Sequence, residues 1–95
     1  LFAVNDLSAF GAMQALQQRG RRVPEEIAVV GYDDTPLAGI TLPGLTSVHQ
    51  SREEIALLAS ELLLDLIARR EAGTIGGHRP RAVAIQPRLI VRESS

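Results

Sequence analysis

The sequence predicts an α/β fold built on a parallel sheet. Two apolar runs, Leu1–Val4 (LFAV) and Ile27–Gly31 (IAVVG), are continuous rather than alternating. That is the pattern of strands covered on both faces. A helical pattern, Leu7–Arg19, lies between them. Strand, helix and strand over about 30 residues make a βαβ unit, with parallel strands and a right-handed crossover. The chain has 95 residues, 45% hydrophobic and 22% charged, which fits one domain or part of one and excludes a disordered chain.

The elements follow in order. Asp6 is expected to cap the first helix, and Gly20 to end it in the left-handed conformation. Ala9, Ala12, Ala15 and Leu16 form one apolar face of that helix; Phe10 and Met13, with Gln14 and Gln17, form a second. Residues 32–44, with Pro36 and Pro43, read as a loop. Leu45–Val48 reads as a short strand. Ser51–Ala72 is the clearest helix. Ser51 and Glu54 fit a capping box, and Ile55, Leu58, Ala59, Leu62, Leu63, Leu66 and Ile67 form a wide apolar stripe. Arg69 and Arg70 suit the negative end of the helix dipole, and Gly73 ends the helix. Residues 73–81 form a loop. Ala82–Ile85 and Arg88–Arg92 read as closing strands interrupted by Pro87, which argues for an edge or a bulge. Ser94 and Ser95 read as a frayed tail. The layout is thus a lobe over 1–50, a helix over 51–73 and closing strands over 82–92.

Composition narrows the function. Ten basic residues, all Arg, against eleven acidic ones give a net charge of −1, so these residues are not expected to grip DNA themselves. There is no cysteine, hence no disulfide, thiolate nucleophile or Cys-ligated zinc. His49 and His78 are far apart, which gives a metal site poor support. No cofactor is expected: neither G-x-G-x-x-G nor a P-loop pattern is present. Apolar runs such as Ile55–Ala59 are far shorter than the roughly 20 residues of a membrane span. No signal peptide is visible. A chain that opens on Leu1 inside an apolar run reads as a piece of something longer.

In parallel α/β sheets, ligands bind beyond the carboxyl ends of the strands. Asn5-Asp6 and Asp33-Asp34 fall there, on one edge, and Gln50 joins them if Leu45–Val48 also runs parallel. Amides and carboxylates suit sugar hydroxyls or amide-like ring nitrogens, and one carboxylate can accept from two adjacent hydroxyls. Each residue also has a plain structural reading. Asn and Asp after a strand are common turn and cap residues, and His49 reads as a surface or hinge residue. Asp33 and Asp34 read either as an acid/base or Mg²⁺ pair or, since neighbours on extended chain point opposite ways, as one ligand group and one group bonded to local backbone. No nucleophile–base arrangement can be assembled. Phe10 and Met13, with Leu37, Ile40 and Leu42, leave apolar surface that either contacts another protein or packs on parts of the same protein outside this chain.

The ordered series Ala3-Val-Asn-Asp6, Ala9-Phe-Gly-Ala-Met13, Gly20, Val23-Pro-Glu-Glu-Ile27, Val29-Val-Gly-Tyr-Asp-Asp34 and Pro43-Gly-Leu-Thr-Ser-Val-His-Gln50 resembles the lactose-repressor (LacI/GalR) family. It matches the C-terminal part of that family's effector-sensing domain and is densest over 3–50. The resemblance implies a partial C-terminal lobe of periplasmic-binding-protein-like type I fold in a cytoplasmic transcription regulator. Operator DNA is bound by a headpiece outside this chain, and a small effector, a sugar or in some members a purine, binds between two lobes. It implies that Asn5, Asp33 and Gln50 contact the effector. It also implies a homodimer interface at Phe10, Met13, Gln17, Leu37, Ile40 and Leu42, and a helix over 51–73 packed on an N-terminal lobe. The alternative is a periplasmic sugar-binding protein for transport or chemotaxis. The Val23–Asp34 and Leu45–Gln50 segments favour the regulator.

Overall fold

The computed structural model describes residues 1–74, 76 and 81–95. His78 and part of the 73–81 loop lie outside the described residues. The chain divides into two compact units: Leu1–Gln50 with Pro87–Ser95, and Ser51–Gln86.

The first unit holds helix α1 (Asp6–Gln18), strand β1 (Val30–Tyr32), a 3₁₀ turn (Pro36–Gly39), strand β2 (Thr46–His49) and strand β3 (Arg88–Ile90). The sheet order is β1-β2-β3. β1 and β2 are parallel, with Gly31 opposite Ser47; β3 runs antiparallel to β2, with Val48 opposite Leu89. The opening segment pairs with β1 in the parallel sense through Phe2 and Val30, and the Ala3 amide donates to the Val30 carbonyl at 2.8 Å. The expected βαβ unit is therefore present.

Three expectations about this unit need correction. The opening segment is not covered on both faces: Phe2 and Val4 are 67% and 79% exposed, and only Ala3 is buried. Within this chain it is held to the sheet by the Phe2–Val30 bridge. The second strand is Val30–Tyr32 rather than Ile27–Gly31. The tail is not frayed. Ser94 is fully buried; its hydroxyl donates to the Val29 carbonyl at 2.6 Å and accepts from the Thr46 amide at 2.8 Å. A hydroxyl both donates and accepts, so one small side chain satisfies two backbone groups that the sheet ladder leaves unpaired. The core is small: Ala3, Ala9, Val29, Ala38 and Leu45 are buried, with Phe10, Met13, Leu16, Val23 and Ile27 packed partly against them. Gly20 ends α1 with φ +68°, where a Cβ would be strained.

The second unit is dominated by helix α2 (Arg52–Glu71). The Ser51 hydroxyl caps it, accepting from the Glu54 amide at 3.2 Å. Gly73, φ +69°, ends it. Arg69 donates to Asp65 one turn back at 2.7 Å. Among the described residues none on α2 is buried, and Leu57, Leu63 and Leu64 stay more than half exposed. Ala82–Ile85 forms no strand. Of the expected closing strands only Arg88–Ile90 is one, because only it has a ladder partner in β2.

Candidate functional site

Counting from the Phe2–Val30 bridge, Asn5 and Asp33 each lie three residues further along parallel segments. Tyr32 pairs with Val48, so Gln50 and Asp34 each lie two residues beyond that pair. β2 does run parallel to β1, which meets the condition for Gln50. Asn5, Asp33 and Gln50 thus leave the sheet along one edge, and each is half-buried.

The turn after β1 separates the two aspartates. Asp33 has φ +102° and Asp34 φ +48°. Left-handed backbone at non-glycine residues costs on the order of 1–3 kcal/mol each, and such strain gathers at ligand sites. The Asp33 amide donates to the Val48 carbonyl at 3.0 Å. Asp34 is fully engaged. Its carboxylate accepts from Arg92 Nη2 at 2.7 Å and bonds His49 Nδ1 at 3.0 Å, and its amide donates to Ser47 Oγ at 3.0 Å. Burial pushes the Asp34 carboxyl up, but the Arg92 and His49 bonds outweigh it and hold the group below its ordinary value. Asp34 therefore bonds side chains of β2 and the C-terminal segment, not local backbone as expected. Among the described residues the Asp33 carboxylate carries no hydrogen bond or ion pair, so it is the one of the two free to receive hydroxyls.

The helix cap is Asn5, not Asp6: Asn5 Oδ1 accepts from the Ser8 amide at 2.8 Å. The cap oxygen must sit before the first helical residue, and Asp6 is already helical. Capping leaves the Asn5 amide N–H groups available. Asp6 is instead fully buried. One of its oxygens accepts from the Thr35 amide at 2.7 Å and the Thr35 hydroxyl at 2.9 Å; the other accepts from Ser47 Oγ at 2.5 Å. Gly31 makes room for it: a Cβ there would strike Asp6 Oδ1 and Leu45.

Four residues here escaped the sequence reading. Ser47 and Thr35 look like ordinary strand and loop residues. His49 reads in the sequence as a surface or hinge residue, which does not point to its bond with Asp34. Arg92 lies 58 residues from the aspartate it holds, and nothing local signals that pairing. Among the described residues no group of three or more acidic, His or Cys side chains is placed to hold a metal ion.

A second feature lies on α1. Phe10, Met13, Gln14 and Gln17 face Thr41, Leu42 and Pro43 across a groove of about 290 Å³. Leu42 is 97% exposed and Ile40 74%. The Thr41 hydroxyl is buried without a partner among the described residues.

Residues 1–95 match the family model of the periplasmic binding protein-like domain. The chain belongs to that family. Within it, the chain matches the effector-binding domain of LacI-family regulators, as the resemblance implied. It is 39% identical over 94 residues to the HTH-type transcriptional repressor PurR of Vibrio vulnificus (strain CMCP6), covering 99% of this chain and 26% of that protein. The structure of a transcriptional regulator CelR–cellobiose complex superposes with a TM-score of 0.86 at 38% identity, over 99% of this chain and 27% of that one. A LacI family transcriptional regulator from Arthrobacter sp. FB24 in complex with lactose gives 0.79 at 36% identity, over 98% of this chain and 33% of that one. The chain thus spans about a quarter of the curated relative's length. The transport-protein alternative is not favoured, since these relatives are transcriptional regulators. They are not enzymes, and the acid/base reading of Asp33 and Asp34 loses its pair because Asp34 is committed to Arg92 and His49.

Proposed function

We propose that this chain supplies one wall of the effector hollow in a LacI-type transcriptional repressor. The observation that carries the reading is the delivery of Asn5, Asp33 and Gln50 to one sheet edge, with Asp33 unpaired among the described residues while its neighbour Asp34 is neutralised. A free carboxylate beside amide donors and acceptors fits adjacent hydroxyls, so the effector is a sugar. Cellobiose and lactose in the two related structures agree with that class. A full-length, cytoplasmic regulator would bind operator DNA through a headpiece outside these residues, in keeping with the net charge of −1 here. Residues 1–50 belong to its C-terminal lobe, and the apolar stripe of α2 packs on its N-terminal lobe. Phe10, Met13, Gln17, Leu37, Ile40 and Leu42 meet their copies in a homodimer. The groove and the projecting Leu42 and Ile40 support that assignment, because exposed contiguous apolar surface marks a contact.

The test is Asp33→Ala in the full-length protein. Hydrogen bonds to a charged acceptor are worth about 1.5–3 kcal/mol. Affinity for cellobiose or lactose, whichever binds the wild type, should therefore fall at least about tenfold. Operator binding should persist and the sugar response should vanish. An unchanged response in the variant would remove Asp33 from the site.

A further inference from the structure

We propose that Asp6 is a positioning residue that ties the effector hollow to the self-association face. The inference deepens the function proposed above and rests on it. Asp6 directly follows Asn5 and is the first residue of α1. Its buried carboxylate reaches two other parts of the fold. Through Ser47 Oγ, which also accepts the Asp34 amide, it supports the far end of the turn that presents Asp33. Through Thr35 it holds the entry to the 3₁₀ turn Pro36–Gly39. Thr35 occupies the N-cap position of that turn, yet its side chain makes no capping bond there; its hydroxyl donates to Asp6 instead.

The turn carries Leu37 and leads to Ile40 and Leu42, the exposed apolar residues. One carboxylate thus joins the two sides of the hollow, at Asn5 and Asp33, to the segment that forms the apolar face. A displacement at either side cannot leave Thr35 in place without stretching bonds to a buried charge, and stranding a buried polar group is costly. A sugar that draws Asn5 and Asp33 together therefore moves the entry to the 3₁₀ turn.

The experiment uses the full-length protein and the variants Asp6→Asn, Thr35→Val and Thr35→Ser, with cellobiose and lactose as probes. Hydrogen exchange is read at the Ala38 amide, which donates to the Thr35 carbonyl. Sugar affinity is read by calorimetry and self-association by sedimentation. Asp6→Asn and Thr35→Val should speed Ala38 exchange about tenfold, while Thr35→Ser, which keeps the donor, stays near wild type. The Asp6→Asn/Thr35→Val pair should be no worse than Asp6→Asn alone, because the hydroxyl bond that Thr35→Val removes is one of the two Thr35 bonds that end on Asp6. Thr35→Val, which keeps the backbone amide bond to Asp6, should keep sugar affinity within about threefold yet weaken the sugar-induced change at Ala38, and should self-associate about tenfold more weakly. Wild-type Ala38 exchange in Thr35→Val, or an intact sugar response there, overturns the proposal. Should Asp6→Asn fail to fold, Thr35→Val decides alone. If neither sugar binds the wild type, the sugar reading of the hollow fails. Exchange and sedimentation then still judge Asp6: a loosened turn with unaltered self-association also overturns it.

Discussion

Asp33 and Asp34 are adjacent and chemically identical, yet their surroundings give them different work. Asp34 is clamped by Arg92 and His49, and the clamp makes its carboxyl a stronger acid than an ordinary aspartate. A carboxyl whose folded value lies below its unfolded one stabilises the fold above the unfolded value. That stability is lost as pH falls through the folded value. The Asp34 contribution should therefore be complete at neutral pH and disappear on the acid side of the ordinary aspartate value. Asp34→Asn should lower stability by about 2 kcal/mol at neutral pH. It should also flatten the fall in stability on acidification, read from urea midpoints across pH. A variant that keeps the wild-type acid slope would show that the clamp contributes nothing. Asp34 and Asp33 were both visible as candidates in the sequence. Which one is clamped was not, because Arg92 reaches Asp34 from the opposite end of the chain.

Helix α1 and strand β1 meet through a glycine and an acid. Gly31 lies in β1 opposite Ser47, and its missing side chain leaves the space that the Asp6 carboxylate fills. Gly31→Ala should therefore cost about 2 kcal/mol, the usual penalty for forcing extra volume into a packed site. Its thermal midpoint should drop accordingly, and an unaltered midpoint would mean that α1 shifts freely against the sheet. The apolar run around Gly31 made a strand legible. The glycine's purpose was not, since it depends on a side chain 25 positions earlier in the sequence. The ends of α2 were fully readable, because Ser51 and Gly73 act on their own helix termini. The strand over Ala82–Ile85 was misread for the opposite reason: a strand exists only where another strand supplies its hydrogen bonds.

At the scale of the whole molecule, two apolar surfaces remain open on this chain, the α1 groove and the α2 stripe. Phe10→Asp should weaken self-association of the full-length protein about a hundredfold, because an unpaired charge enters an apolar contact. Leu42→Asp, at a residue that supports no core, should do the same without loss of folding. Sedimentation equilibrium checks both, and a wild type that stays monomeric at high concentration removes the dimer. The sequence alone determined the βαβ order, the two helices and the set of polar residues at the strand ends. Those follow from periodicity, caps and turn chemistry, which act over a few residues. Only the tertiary structure decided which aspartate is neutralised, that Asp6 is a buried tie rather than a cap, and that Ser94 closes the core instead of fraying. Each of those depends on partners tens of residues apart in the chain, brought together by the sheet.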